Sequence, residues 1–226
     1  MFKLTQLVSV FFIYSLCGWL GIHFAAIGES SLTLIWLPSG IALSAFILYG
    51  KQIWPAIWLA SFAANTPYLI NPDLESPILI ACLYGGLAAS INTLIQAKFA
   101  YYLYQKFINE QGLKTSKLIL SFVFKVILAP SILNMSLLIG LYSFGGYIQP
   151  SSDTPLYELL TLWLSGVLAD FHGYFVIVPF VLSWWTHKES KNNEQFVWCF
   201  IASISLILIV VNSLFFIPSS VYLLLE

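Results

Sequence analysis

Residues Trp163 to Trp185 read WLSGVLADFHGYFVIVPFVLSWW, and this stretch decides the class of fold. It is apolar enough and long enough to cross a bilayer as a helix. Near its middle stand an acid and an imidazole, Asp170 and His172, followed by Gly173. A charged group at the centre of a lipid-crossing helix costs about 2.5–3.5 kcal/mol on insertion scales. Such a residue turns towards protein or trapped water, so the stretch implies a membrane protein with a polar spot inside its bundle.

The composition around it agrees. Of 226 residues, 59% are hydrophobic, 17% aromatic and 8% charged, and mean hydropathy is +0.87. A soluble domain carries about a quarter charged residues, and no soluble fold buries this much apolar surface. An all-α, polytopic transmembrane helix bundle is the class that remains. Net charge is −1, which gives no electrostatic case for nucleic acid. The nine cations are all lysine, so bidentate arginine clamps on phosphate or carboxylate are excluded. Cys17, Cys82 and Cys199 lie far apart in apolar spans, match no metal spacing and read as small buried apolar residues. The first apolar run is too long for a cleaved leader and has no clear small-x-small site, so it reads as a retained span.

Hydropathy and turn residues divide the chain into seven spans plus the start of an eighth. They fall at 4–27, 32–49, 52–70, 78–98, 118–141, 157–185 and 196–217, with 218–226 opening the last. The whole of 1–226 is then one integral membrane domain, with no cytoplasmic output domain in this chain. Pro38-Ser39-Gly40 interrupts span two. It reads either as a simple kink near the surface or as a broken helix lining a pocket, as transporter half-helices do. Gly50-Lys51 is a short turn that makes spans two and three antiparallel neighbours. Gly85-Gly86, Ala88, Ala89 and Ser90 give span four small residues for close helix approach. Pro130 suggests a kink in span five, and span six is longer than one crossing needs.

The lysines set the expected orientation. Lys3, Lys51, Lys98, Lys106, Lys114, Lys117, Lys188 and Lys191 fall before span one or in every second loop. Lys125 lies about two turns into span five from that same side. The other loops carry Glu29, Asp73, Glu75, Asp153 and Glu158 and no lysine. The positive-inside rule puts the N-terminus and the lysine loops in the cytoplasm.

Asp170 and His172 are two residues apart and point about 200° from one another on a helix, so they do not face one groove together. Asp170 reads either as a structural partner, with Lys125 as a possible ion pair, or as a ligand or proton site. His172 reads as a satisfied buried imidazole, or as a group that titrates near neutral pH if partly wet. His23 and His187 fall at or beyond a membrane face, so no metal site and no cofactor is expected. No nucleophile–base spacing, close carboxylate pair or phosphate-cradling loop supports catalysis. Trp36, Trp54, Trp58 and Trp163 read mainly as packing and interface anchors.

The order of Trp36, Pro38, Gly40, Gly50, Trp54, Pro55 and Asn65 resembles the membrane-associated sensor domain of the first type, the type-one MASE domain. Asn92-Thr93-Leu94 is similar to that family's Asn-Thr-Leu stretch, with Gln96 where a glutamate is usual. Asp170, Gly173 and Pro179 resemble its acid–glycine–proline pattern. Val167 and Ala169 stand where a tryptophan and a glycine are usual, and 218–225 resembles the start of its last helix. The resemblance covers nearly the whole chain. It implies about eight helices and a bacterial inner-membrane sensory input module. It further implies a cytoplasmic kinase or cyclase output module as partner, in cis beyond the chain end or in trans, with a homodimer possible.

Two functions follow as expectations. One is signal input, by binding a small ligand or sensing membrane state. The other is a small-solute transporter or substrate-binding membrane subunit, motivated by the broken span two, the glycines of span four and Asp170. A structural scaffold is the bland third. In either of the first two, Trp36, Ser39, Asn65, Asn92, Asp170 and His172 line a common pocket.

Overall fold

A computed structural model describes residues 4–24, 35–72, 76–108, 113, 115–150 and 153–187. Residues 1–178 form one compact unit, and 179–226 a second, of which the helix end at 179–187 is described. The described residues are helical throughout, apart from short turns, because in lipid the backbone must satisfy its own hydrogen bonds.

We number the helices α1 Leu4–Phe24, α2 Leu37–Tyr49, α3 Trp54–Asn65, α4 Pro77–Phe107, α5 Ser116–Phe144 and α6 Pro155–His187. Four of them, α1, α4, α5 and α6, are long and apolar enough to cross a membrane. This corrects the count of seven spans in two places. Expected span two is an α-helix of 13 residues, and expected span three one of 12 flanked by 3-10 turns at Lys51–Ile53 and Thr66–Leu69; neither is among the helices long and apolar enough to cross. Expected span seven and the start of an eighth lie outside the described residues. Helices α4 and α5, in contrast, run longer than their apolar cores, with 31 and 29 residues.

Local chemistry explains the boundaries. Pro38, Pro55 and Pro77 sit within the first two positions of α2, α3 and α4, where a missing N–H is harmless. The Pro38 break is therefore the start of α2, preceded by non-helical Ile35 and Trp36. Gly50 takes φ +74° to join α2 to α3 through one tight turn. Thr115 caps α5 by accepting from the Leu118 N–H at 3.4 Å. One π-helical turn interrupts each of α4 and α5, at Ile91–Ala97 and Phe122–Leu128.

Buried side chains knit α1, α2, α3 and α4 together: Val10 and Tyr14, Ala42 and Phe46, Ile57 and Ala60, and Ala97. Gly85 of α4 packs so close to Thr66 that a Cβ there would lie 2.1 Å from the threonine Oγ1. That is the close approach which small residues permit in lipid. Trp58 of α3 donates its indole N–H to Ser90 Oγ of α4 at 2.9 Å, which makes it an internal strut, whereas Trp54 is nearly half exposed.

At one end of the unit Gln6, Gly50, Lys51 and Tyr101 border a groove; Lys125 packs on the Phe107 ring. At the other end, His23 meets Tyr68 at 3.4 Å and Tyr84 meets Tyr147 with ring centroids 5.2 Å apart; Glu158 belongs to this end.

Candidate functional site

The site is built where α2 begins against the middle of α6. The Trp36 N–H donates to Ala169 O at 3.0 Å. Ser39 Oγ lies 2.8 Å from Trp36 O and 3.1 Å from Asp170 O, so its one proton can serve either carbonyl. The two backbones touch through glycines. A Cβ on Gly40 would lie 2.1 Å from Gly173 O, and one on Gly173 would lie 2.0 Å from Trp36 O. No side chain fits at either position without moving backbone. Non-helical chain at this depth is tolerated only where protein or a cavity surrounds it, and both conditions hold at Ile35 and Trp36.

This junction places Asp170 beside α4 and α5. Its side chain is 2% exposed. Asp170 Oδ2 accepts from Gln96 Nε2 at 2.5 Å and from Asn134 Nδ2 at 3.1 Å. Gln96 lies in the π-helical turn of α4 together with Asn92, and both are buried; four residues apart, they share one face of the helix. Asn134 stands one turn past Pro130 on α5. Charge-assisted hydrogen bonds of this kind are about twice as strong as neutral ones, but amides supply no opposite charge.

Above Asp170 a cavity of about 550 Å³ runs towards the end that carries Glu158. That volume lies in the usual range for a small-molecule site. Its floor is Asp170, Asn92 and Asn134; its walls include Trp36, Met135 and Leu138; and its mouth carries Tyr68, Tyr147 and Glu158. Glu158 and Asp170 are about 18 Å apart along α6, at twelve residues and 1.5 Å each. Asn65 also lines the cavity and donates Nδ2 to Ser61 O at 2.8 Å; Asn92 Nδ2 donates to Ser61 Oγ at 3.0 Å. The outer acceptors of the floor, Asn92 Oδ1 and Asn134 Oδ1, are buried and have no protein donor. At the mouth, partial burial and then the neighbouring Tyr84 hydroxyl hold the Tyr147 pKa above its usual value, so that phenol stays neutral.

Of the six residues expected to line one pocket, Trp36, Asn65, Asn92 and Asp170 border this cavity. Ser39 lies beneath it as a brace. His172 does not border it; it packs edge-on against Phe171, with Nδ1 buried and unpartnered. The 200° separation on α6 has this consequence: when Asp170 faces the floor, His172 faces away. The ion pair between Lys125 and Asp170 does not form. Lys125 Nζ lies 3.9 Å from the centroid of the Phe107 ring. Lys125 precedes Asn134, which touches Asp170, by about nine residues, or about 13 Å along α5.

Sequence reasoning missed the two groups that hold the acid. Gln96 stood out only as a departure from a family pattern. Asn134 carried one signal, an amide inside an otherwise apolar span, which in lipid needs an internal partner. Among the described residues, no group of three or more His, Cys, Asp or Glu is placed to hold a metal.

A family model, MASE1, matches residues 6–225. No curated protein and no solved structure gives a significant match.

Proposed function

This chain belongs to the MASE1 family of membrane-associated sensor domains, and from that premise we propose that the cavity above Asp170 is its ligand-receiving site. MASE1 is a sensor domain rather than a catalytic one, so the expected output is a conformational signal. The observation that carries the reading is the cavity of about 550 Å³ ending on a buried carboxylate that two amides hold in place. A purely structural acid would not need an open approach, and an empty apolar hole would not need an acid.

In this reading the lysine-bearing end faces the cytoplasm and the cavity opens to the opposite side, following the positive-inside rule. The chain is a single sensory domain of the bacterial inner membrane. It relays a shift of α2 against α6 to a cytoplasmic kinase or cyclase module. The hinge is the glycine contact, since ligand at the floor bears directly on Trp36 and Asp170. A ligand shifts such an equilibrium only by its differential affinity for two arrangements.

Orientation is tested by cysteine labelling in a background lacking native cysteines. A membrane-impermeant maleimide applied to intact cells should modify Gly146→Cys and spare Lys51→Cys; the reverse pattern overturns the orientation. Ligand reception is tested by melting the purified chain in lipid nanodiscs against a small-molecule library. Stabilising compounds should lose their effect in Met135→Trp, which fills the cavity. Vesicle uptake of a stabilising compound, lost in Asp170→Asn, would move the assignment to transport.

A further inference from the structure

Resting on the reading of the cavity as a ligand site, we propose that its ligand class is an organic cation carrying a primary ammonium on a small apolar body. Three observations converge on that chemistry.

The first is charge. Asp170 is buried in the interior of a membrane bundle, and its protein partners, Gln96 and Asn134, are neutral amides. Among the described residues, no Lys, Arg or His lines the cavity. Lys125, the cation inside α5, is engaged with Phe107. A buried carboxylate needs an opposite charge as well as hydrogen bonds, and no described side chain provides one. The second is donor and acceptor parity. Asn134 Nδ2 is committed to Asp170, which fixes its amide so that Oδ1 faces elsewhere, and that Oδ1 has no donor. Asn92 spends Nδ2 on Ser61, and its Oδ1 has no donor either. Both residues are at least nine-tenths buried and both border the cavity. The floor therefore presents two amide oxygens that lack donors, beside a carboxylate whose donors are neutral amides. An alkylammonium has three N–H donors, one charge and no acceptor. The third is the wall. Trp36, Tyr68, Tyr142, Met135 and Leu138 surround the approach. Indole and phenol faces attract cations, while the apolar chains suit a hydrocarbon body. A bare inorganic ion would leave most of 550 Å³ unfilled. Anions are disfavoured by the Asp170 carboxylate at the floor.

The test uses the full chain in phosphatidylethanolamine–phosphatidylglycerol nanodiscs, with empty discs subtracted for partitioning. Matched probes are 2-phenylethylamine, 2-phenylethanol and phenylacetate, then n-heptylamine and heptan-1-ol, with sodium and potassium chloride alone. Calorimetric titration at pH 7 should show each amine binding about tenfold or more tighter than its alcohol. Asp170→Asn should bring the amine-to-alcohol ratio to within about twofold. Asn92→Ala keeps the carboxylate with both its amide donors and removes one acceptor; it should lower the ratio several-fold, and it serves if Asp170→Asn does not fold. A ratio near one, a preference for phenylacetate, or an amine preference that survives Asp170→Asn overturns the cation assignment. So does Asp170-dependent binding of sodium or potassium that displaces the amines. If alcohol or acid binds and Met135→Trp blocks it, the cavity reading survives and the cation fails. If no probe binds, the ammonium assignment falls with the cavity reading.

Discussion

Asp170 and Lys125 are both charges inside apolar helices, and the protein handles them in opposite ways. Asp170 lies deep in the bundle, where α4 and α5 bring amides to it and α2 starts its helix against it. Lys125 lies within about two turns of the lysine-rich end, and its long stem lets the ammonium reach over the Phe107 ring. A lysine stem can carry its charge towards an interface. An aspartate has one methylene and must have its surroundings brought to it. Depth and side-chain length together decide which charge organises the fold and which one the fold merely tolerates.

Substitutions sharpen or break that contrast. The largest effect is expected at the glycine contact. Gly173→Val would place a side chain into Trp36 O, and overpacking against backbone should lower stability by about 3 kcal/mol or more. Loss of a monodisperse folded peak in detergent would report it; a normal peak and melt would show that the α2–α6 contact is soft. Next comes the amide cradle. Gln96→Leu removes a donor to a buried carboxylate and should cost about 1.5–3 kcal/mol, measured as a lowered melting temperature in nanodiscs. Trp58→Phe deletes the Ser90 hydrogen bond between α3 and α4, and should cost about 0.6 kcal/mol, the mean for such bonds in membranes. The smallest effect is expected at Lys125→Met, within about 0.5–1 kcal/mol of the parent. A Lys125→Met loss as large as that of Gln96→Leu would abolish the distinction between the two charges.

Part of this was legible beforehand. Hydropathy alone placed α1, α4, α5 and α6, because each passes through lipid for most of its length. The Gly50 turn followed from local sequence; the expected packing of spans two and three on each other did not, since α2 and α3 both pack on α1. Nor did the lengths of α2 and α3. Ile35 and Leu37 read as the interior of a span, since apolar residues look alike facing lipid or facing a cavity wall. Four of the residues expected in one pocket border the cavity, as a polar group in an apolar run has to face inward. Ser39 and His172 do not border it, because inward has several directions. Ser39 faces backbone carbonyls beneath the floor, and His172 faces the side of α6 away from it.

By itself the sequence determined that the chain lives in a membrane, that its lysines and its acidic loops alternate along the chain and that the acid of α6 is turned inward. Each of these follows from transfer free energies that act residue by residue and need no knowledge of neighbours. The tertiary structure alone decided that Gln96 and Asn134 meet Asp170, that Lys125 does not, and that a cavity stands above the carboxylate. Those outcomes depend on the rotation and depth of each helix relative to the others. Periodicity along one helix sets which residues share a face, and only packing sets what that face meets.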